Sequence, residues 1–246
     1  MRYLIISDIH ANIDAFEAVL AHASGRWDAA LVLGDLVGYG AEPNLVIDRV
    51  RSLEPHAVIR GNHDKAACGI DDGSQFNYVA RLAAQWTATQ LTPDHMTYIR
   101  DLPMGPVQID GLFEICHGAP FDEDYYIFDG NDAQMGLQGS QRPLCLFGHT
   151  HLPVIFRHVE DVLEGNAPDP EKETVLPLQR TARYLVNVGS IGQPRDGDPR
   201  AGYGVLDDEA REVRLFRVPY DVEQAQARIR AAGLPGSLAN RLALGR

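Results

Sequence analysis

The chain has 246 residues, 45% of them hydrophobic and 23% charged, which is the ordinary balance of a globular protein with a sizeable core. No stretch approaches the roughly 18–20 consecutive apolar residues of a membrane span, and the first residues form a short strand-like segment instead of a secretory signal, so we expect no membrane partner and a cytoplasmic location. The net charge of −12 disfavours stable nucleic-acid binding, because most of the surface would repel the phosphate backbone.

The first part of the chain alternates between strand-like and helix-like segments. Residues 2–7 are nearly all apolar and end in Ser7-Asp8, as expected of a strand buried on both faces. Asn12 is a good N-cap, and apolar side chains then recur at i, i+3, i+4 and i+7, the stripe of a helix. The next elements are a strand at 29–33, a helix at 43–53 and a strand at 56–60. This order predicts an α/β fold in which helices cover a sheet.

The rest of the chain is predicted as helices followed mainly by strands. A helical pattern covers about 76–101, and we interpret the region at about 70–101 as a cap or insertion beside the site. The later elements are strands at 104–117 and 143–147, and strands and turns from about 152 to 218 with a polar loop or mobile hairpin tip at 164–173. Short helices follow at 221–232 and 236–244. We therefore predict a single domain over 1–246 with a helical C-terminal extension at about 221–246.

Two motifs place carboxylates directly after predicted strands. Asp8-Ile9-His10 comes after the first strand, and residues two apart in an extended segment point the same way, so a carboxylate and an imidazole can converge on one ion. The run from Gly34 to Gly40 comes after the second strand, and its three glycines predict a tight turn that projects Asp35 into a crowded site. Taken alone, each motif is also explained by a solvated surface pair or turn.

Three further motifs carry histidines. Gly61-Asn62-His63-Asp64 comes after the third predicted strand and offers an amide oxygen and an imidazole. His117-Gly118 closes an apolar strand, and Gly148-His149-Thr150-His151 has two imidazoles two residues apart. With His10, five of the nine histidines lie in the five motifs, at inferred strand ends, where open α/β sheets bind ligands. The other four are assigned surface or packing roles: His22, His56, His95 and His158.

The ordered set D-x-H, G-D-x-x-G, G-N-H-D, H-G and G-H-T-H resembles the motifs of the calcineurin-like metallophosphoesterase superfamily. These motifs span about residues 1–155, and the run from Asn187 to Arg195 is similar to the small bacterial phosphodiesterase branch. The resemblance implies an α/β fold with four layers, α/β/β/α, in which two mixed sheets lie face to face with helices outside.

The resemblance also implies two divalent metal ions, bridged by Asp35. The first would be held by Asp8, His10, Asp35 and His151, and the second by Asp35, Asn62, His117 and His149. Carboxylate, imidazole and amide ligands without thiolate suit Mn²⁺, Fe or Zn²⁺ in a catalytic site, and the three cysteines form no C-x-x-C pair. A bridging carboxylate allows two cations to lie about 3.5–4 Å apart despite their repulsion.

This ligand set predicts a phosphoesterase that hydrolyses phosphodiesters, with phosphomonoesters as a further substrate class. In the hypothesis, a hydroxide that bridges the metals attacks phosphorus, and His63 stabilises the transition state or protonates the leaving alkoxide. Phosphoprotein phosphatases of the superfamily carry G-D-x-V-D-R-G, whose second Asp orients the catalytic histidine and whose Arg binds phosphate. Gly38 and Tyr39 stand at those two positions here, which counts against a protein phosphatase. Asp64 is then either the partner of His63 or a structural hydrogen-bonding group.

Arg195 and Asn62 are the predicted contacts of a small phosphate-ester or nucleotide substrate, and a surface salt bridge is the alternative for Arg195. Tyr125, Tyr126 and Phe128 either stack on a base or sugar or form an ordinary packed aromatic cluster. The competing functions are a dinucleoside polyphosphate hydrolase, a catalytically silent metal-binding scaffold and a metal-dependent regulator. The native metal, the physiological substrate and the oligomeric state are open at this level.

Overall fold

The computed structural model describes residues 1–246 and contains twelve strands and eight helices. The strands are β1 Arg2–Ile6, β2 Ala29–Val32, β3 Ala57–Val58, β4 Val107–Ile109, β5 Phe113–Ile115, β6 Leu144–Phe147, β7 Val154–Val159, β8 Val162–Asn166, β9 Thr174–Pro177, β10 Arg183–Asn187, β11 Ala201–Asp207 and β12 Glu212–Val218. The helices are α1 Ile13–Ala23, α2 Pro43–Ser52, α3 Asn62–Cys68, α4 Tyr78–Gln90, α5 Pro93–Arg100, α6 Gly130–Gly139, α7 Val222–Ala231 and α8 Gly236–Leu242. No helix among them has the length and apolar character that crossing a membrane requires.

The strands form two mixed sheets of six strands each. The first has the order β3-β2-β1-β11-β12-β9, in which β1, β2 and β3 are parallel and the other neighbours are antiparallel. The second has the order β4-β5-β6-β10-β7-β8, in which β5, β6 and β10 are parallel. Each sheet therefore contains a parallel unit whose strands all end at one edge.

The apolar faces of both sheets are buried. Because successive side chains of a strand point to opposite faces of the sheet, neighbouring residues enter different core clusters. Tyr3 and Ile5 of β1 lie between the sheets with Tyr184 and Val186 of β10. Leu4, one residue along β1, points to the opposite face and packs with α1, α2 and α5 in a separate core cluster. Helix α6 covers the outer face of the second sheet in the same way. The layers therefore run helix, sheet, sheet, helix, and the predicted four-layer α/β/β/α sandwich is confirmed.

A smaller core cluster lies beside the parallel edge of the first sheet. Tyr39 packs there among buried side chains of α4, α7 and α8. The predicted cap and the predicted C-terminal extension thus meet around Tyr39, whereas Ile99 of α5 belongs to the main core of the first sheet. Leu242 of α8 is buried in the small cluster, which fixes the position of that helix.

Several elements differ from the prediction. The third strand is confined to Ala57–Val58, and the motif after it opens helix α3 instead of continuing as a strand end. Helix α6 was not predicted either, because three of its ten residues are glycines, which disfavour helices. The segment 104–117 holds the short antiparallel pair β4 and β5, and the polar loop predicted at 164–173 begins within β8.

Candidate metal centre

The parallel strands bring four of the sequence motifs to one crevice. Asp8 and Asp35 lie just beyond the ends of β1 and β2 in the first sheet, and these strands are parallel neighbours. His117 and His149 lie just beyond β5 and β6 in the second sheet, which are also parallel neighbours. Because the sheets lie face to face, the two pairs of loops converge at the same edge of the sandwich.

The first ligand cluster consists of Asp8, His10, Asp35 and His151, whose ligand atoms all lie within 4.8 Å of one another. The Nε2 atoms of His10 and His151 are 3.0 Å apart. His10 Nε2 lies 3.5 Å from Asp35 Oδ2, and His151 Nε2 lies 3.3 Å from Asp8 Oδ1. All four side chains are buried, so this is a dry group of donor atoms of the kind that binds a cation.

The second ligand cluster shares Asp35 and adds His117 and His149. His117 Nε2 lies 3.1 Å from His149 Nδ1 and 3.4 Å from Asp35 Oδ2. The amide oxygen of Asn62 lies 3.3 Å from the same nitrogen, at the first residue of α3. The seven side chains predicted as ligands are therefore all at the two clusters, and Asp35 is common to both.

The outer nitrogen of each ligand histidine meets a backbone carbonyl. A carbonyl only accepts, so that nitrogen carries a ring proton and the inner nitrogen is the one that faces the cluster. The outer contacts are His10 Nδ1 to Val37 O at 3.0 Å, His117 Nδ1 to Leu33 O at 2.7 Å, His151 Nδ1 to Gln193 O at 2.6 Å and His149 Nε2 to Asp124 O at 3.0 Å. Three rings thus offer Nε2 and His149 offers Nδ1, in the tautomers that metal binding requires.

Burial and charge set the protonation of the cluster. Burial lowers the pKa of His10, His149 and His151 well below the usual value, so these rings are neutral. Burial also opposes a charge on His117, but the carboxylate of Asp35 outweighs it and raises the pKa of His117 to about 10. Without a metal, His117 and Asp35 form a buried ion pair. A divalent ion bound there would take the place of the proton on His117.

The backbone at the ligands is strained. The φ angles of Asp8, His10, Asp35, His149 and His151 are +53°, +48°, +52°, +67° and +61°. Residues other than glycine seldom adopt this region, which costs about 1–3 kcal/mol each where it occurs. Such strain persists where the surrounding structure over-determines the conformation, and it is concentrated here in the turns that aim donor atoms into the crevice.

His63 is buried beside the clusters but belongs to neither. Its ring stacks on Phe76 with centroids 4.4 Å apart and packs on Tyr39 at 4.3 Å, and its Nδ1 has no hydrogen-bond partner. A Cβ at Gly38, whose φ is +89°, would lie 2.6 Å from that Nδ1. No side chain can therefore stand at position 38 to orient the ring. Burial lowers the pKa of His63 to about 4, so the ring is neutral at pH 7.

Asp64 has a structural role and does not contact the His63 ring. Its carboxylate accepts the backbone N–H groups of Leu36 at 3.2 Å, Val37 at 3.1 Å and Gly61 at 3.0 Å. It thereby ties the turn after Asp35 to the start of α3. Of the two alternatives for Asp64, the structural hydrogen-bonding group is the one observed.

Arg195 lies next to the first cluster without an ionic partner. Its guanidinium carbon is 5.8 Å from the centroid of the Tyr39 ring, and its only side-chain contacts are Tyr39 Oη at 3.4 Å and Gln193 Oε1 at 3.3 Å. Its Nε is buried without any acceptor. No carboxylate of the protein lies within ion-pair distance, so the alternative of a surface salt bridge is wrong.

Two aromatic residues stack on histidines of the site, and only one of them, Tyr126, was singled out in the sequence. Tyr126 stacks on the ligand His149 with centroids 3.8 Å apart, and Phe128 lies parallel to Tyr126 at 5.3 Å. Tyr126 and Phe128 are 40% and 59% exposed, whereas Tyr125, the third aromatic residue of the predicted group, packs against the core cluster under α6. Phe76, the stacking partner of His63, was not singled out at all, because nothing local links it to a residue in α3.

A group of charged residues fixes the loop that supports His149. Glu123 accepts from Arg60 at 2.9 Å and from Lys65 at 2.9 Å, and Lys65 also reaches Asp124 at 2.6 Å. The backbone oxygen of Asp124 is the acceptor for His149 Nε2. The ion pairs therefore hold the carbonyl that sets the tautomer of a ligand, a connection that the sequence order does not reveal.

Comparison with known proteins agrees with this geometry. The family model described as the calcineurin-like phosphoesterase superfamily domain matches residues 1–211. The crystal structure of a metallophosphoesterase from Sphaerobacter thermophilus is 42% identical, with a TM-score of 0.89 and coverage of 100% of this chain and 99% of that one.

Two curated relatives also align over most of their length. The uncharacterised protein MJ0912 of Methanocaldococcus jannaschii is 33% identical over 98% of this chain and 97% of its own. Phosphodiesterase YfcE of Escherichia coli is 23% identical over 87% of this chain and 91% of its own. The family match covers the whole of both ligand clusters, and the chain therefore belongs to the calcineurin-like phosphoesterase superfamily.

Proposed function

We propose that the protein is a binuclear-metal phosphoesterase that hydrolyses phosphodiesters, with phosphomonoesters as a further substrate class. The observation that carries this proposal is the pair of buried clusters of imidazole and carboxylate ligand atoms that share Asp35. The relation to the phosphodiesterase YfcE supports a diester as the substrate.

The donor set fits two divalent ions. Imidazole, carboxylate and amide oxygen suit Mn²⁺, Fe or Zn²⁺, and no thiolate lies among the ligands. Two ions bound there would activate a water molecule for attack on phosphorus and neutralise charge on the phosphate oxygens. Asp8 and Asp35 compensate only half of the charge of two divalent ions, so the loaded site would attract an anionic ester.

His63 is proposed to act on the substrate and not on a metal. Its lowered pKa leaves the ring neutral at pH 7, so in the free enzyme it carries one N–H with which to donate a hydrogen bond. Of the two roles expected for it, stabilisation of the transition-state oxygens is the one this protonation state supports. Phe76 and Tyr39 hold the plane of the ring in place of a carboxylate partner.

Asn62 and Arg195 are proposed to contact the phosphate group. Asn62 stands at the second cluster, and Arg195 contacts Gln193, whose backbone oxygen accepts from His151 of the first cluster. The unpaired Nε of Arg195 is available for a charge-assisted hydrogen bond to a phosphate oxygen.

The test is hydrolysis of bis-p-nitrophenyl phosphate by protein that has been stripped of metal and reloaded with Mn²⁺. We expect turnover that depends on the metal and disappears in Asp35→Ala, because both clusters lose their common ligand. Asp94→Ala is the matched control, since Asp94 is an exposed residue of α5 outside the clusters. Equal activity of the Asp35→Ala variant and the wild type would refute the proposal.

The same geometry disfavours one of the other candidate functions and is compatible with another. A catalytically silent scaffold is disfavoured, because the full set of predicted ligands converges and His63 lies next to them. A dinucleoside polyphosphate hydrolase would use the same clusters to cut a phosphoanhydride, and this reaction is the alternative to diester hydrolysis.

A further inference from the structure

The loop 118–125 folds back on itself directly after a ligand of the second cluster. The N–H of Gly118 donates to the backbone oxygen of Glu123 at 3.1 Å. A Cβ at position 118 would lie 2.7 Å from that oxygen, so glycine is required where the loop closes. The next backbone oxygen, that of Asp124, is the acceptor for Nε2 of the ligand His149. The loop therefore connects two ligands of the second cluster.

Two acidic side chains of this loop, Glu123 and Asp124, are bound by two cations from the other side of the crevice. Arg60 lies between β3 and α3, and its Nε and Nη2 donate to the carboxylate of Glu123 at 3.0 and 2.9 Å. Lys65 lies in α3, and its ammonium group contacts Glu123 at 2.9 Å and Asp124 at 2.6 Å. We call these four side chains the charge clamp. The cations follow a strand of the first sheet and the carboxylates follow a strand of the second, so the clamp joins the two sides of the site.

The charge clamp is largely shielded from solvent. The side chains of Lys65 and Glu123 are 6% and 12% exposed, and its two cations balance its two carboxylates. Ion pairs in such a place are screened by salt much less than surface pairs. Removal of one partner leaves a poorly hydrated charge without compensation. The pairs therefore oppose movement of the loop away from α3.

The charge clamp acts on the second cluster and not on the first. It holds the loop whose carbonyl fixes His149, whereas the two histidines of the first cluster have their carbonyl acceptors in other segments, at Val37 and Gln193. The start of α3 has a separate attachment to the first sheet, because Asp64 accepts from Gly61 and from the turn that follows Asp35. Loss of the clamp would thus release the loop and leave the ligands of the first cluster in place.

We propose that Arg60, Lys65, Glu123 and Asp124 are positioning residues that set the affinity of the second metal site. With the charge clamp intact, the carbonyl of Asp124 keeps a proton on Nε2 of His149, and Nδ1 faces the cluster. With the clamp broken, the second ion is bound more weakly and the first is bound as before. This inference rests on the proposed function, because it takes both clusters to be metal sites.

The experiment titrates metal-free protein with Mn²⁺ and measures the dissociation constant of each ion by calorimetry. Electron paramagnetic resonance is recorded during the titration, because it distinguishes a lone bound Mn²⁺ from a coupled pair. The variants are Lys65→Met, Lys65→Arg and Asp124→Asn, of which the last keeps the backbone acceptor of His149. A further variant, His117→Ala, lacks a ligand of the second cluster and identifies the binding step that belongs to it.

The matched control is Arg214→Met. Like Lys65, Arg214 pairs with two carboxylates, those of Glu212 at 2.6 Å and Glu173 at 3.1 Å, but it lies on β12 outside both clusters. We expect this variant to bind both ions as the wild type does. Hydrolysis of bis-p-nitrophenyl phosphate by the wild type is measured in parallel.

We expect Lys65→Met to weaken binding of the second ion by about 10–100-fold, the range for residues that orient a metal ligand, and to leave the first ion unchanged. Lys65→Arg should restore most of the affinity, and Asp124→Asn should cause a smaller loss at the second site alone. If Lys65→Met does not fold, Asp124→Asn provides the same test, since the side chain of Asp124 is 45% exposed.

Equal weakening of both ions, or an unchanged second ion in Lys65→Met and Asp124→Asn, would overturn the inference. If the wild type hydrolyses the ester and the clamp variants bind both ions normally, the proposed function stands and the positioning role fails. If the second ion depends on Lys65 but the wild type with two ions hydrolyses no ester, the positioning role is supported and the proposed phosphodiesterase function fails.

Discussion

The four ligand histidines and His63 share one crevice but are held by opposite means. Each ligand histidine lies in a loop after a strand and has its outer nitrogen fixed by a backbone carbonyl, as in the 2.7 Å contact between His117 and Leu33. His63 stands on a helix, has no hydrogen-bond partner at Nδ1, and is oriented by the faces of Phe76 and Tyr39. Hydrogen bonds to carbonyls fix a tautomer, whereas aromatic packing fixes only the plane of a ring.

This difference matches the two tasks that we propose for the site, metal binding and action on the substrate. A metal ligand must present one lone pair in a fixed direction, and a carbonyl partner ensures that. A residue that works on the substrate must keep a nitrogen free for the substrate, and His63 alone among the five histidines of the crevice has an unpaired buried nitrogen. The geometry thus predicts that changes at the ligands remove metal, while changes around His63 leave the metals in place.

The largest effect is expected for His117→Ala. This variant loses the ring that touches Asp35, Asn62 and His149, so the second ion should be lost and the metal content should fall from two to one per chain. We expect turnover of bis-p-nitrophenyl phosphate to fall by about a thousandfold or more, since a metal supplies several kcal/mol of transition-state stabilisation. Metal analysis and kinetics are compared with His158→Ala, a histidine of β7 outside both clusters. Two retained ions per chain would contradict the assignment of His117 as a ligand.

The next largest effect is expected for His63→Ala. Turnover should fall by about 10²–10⁴-fold, the range for a residue that acts directly on the reacting group. The metal content should stay at two per chain, because His63 belongs to neither cluster. Loss of an ion in this variant would show that His63 is a metal ligand, and would contradict the difference in role between His63 and the ligand histidines.

A smaller effect is expected for Phe76→Ala, which removes one of the two aromatic faces that hold His63. We expect kcat to fall by about ten- to a hundredfold with both metals retained, as for a catalytic group that is slightly misplaced. Phe121→Ala is the control, because Phe121 is 46% exposed and contacts Tyr125 instead of His63. Unchanged kcat would mean that Tyr39 and the helix are sufficient to orient the ring.

The convergence of the proposed ligands was predictable from sequence because their placement obeys a local rule. Asp8, His10 and Asp35 come directly after apolar strands, and the carboxyl ends of parallel strands lie at a common edge of the sheet. The four-layer fold was predicted from the family resemblance of the motifs, while periodicity alone indicated only α/β in the first half. Both the resemblance and the fold were confirmed.

The surroundings of the ligands were not predictable, because they depend on packing between distant segments. Phe76 reaches His63, and Arg241 reaches Tyr39 from the far end of the chain, only after the helices have packed. Helix α6 was missed for a related reason. Its Gly136 disfavours a helix locally, but a Cβ there would lie 2.9 Å from Leu185, so glycine serves the close contact with the sheet.

The most direct measurement is anomalous diffraction from crystals of the Mn²⁺-loaded protein. We expect two ions that share Asp35, one bound by Nε2 of His10 and His151 and the other by Nε2 of His117 and Nδ1 of His149. His63 should bind neither ion. A single ion, or an ion bound to His63, would contradict the assignment of ligands and the division of roles between the histidines.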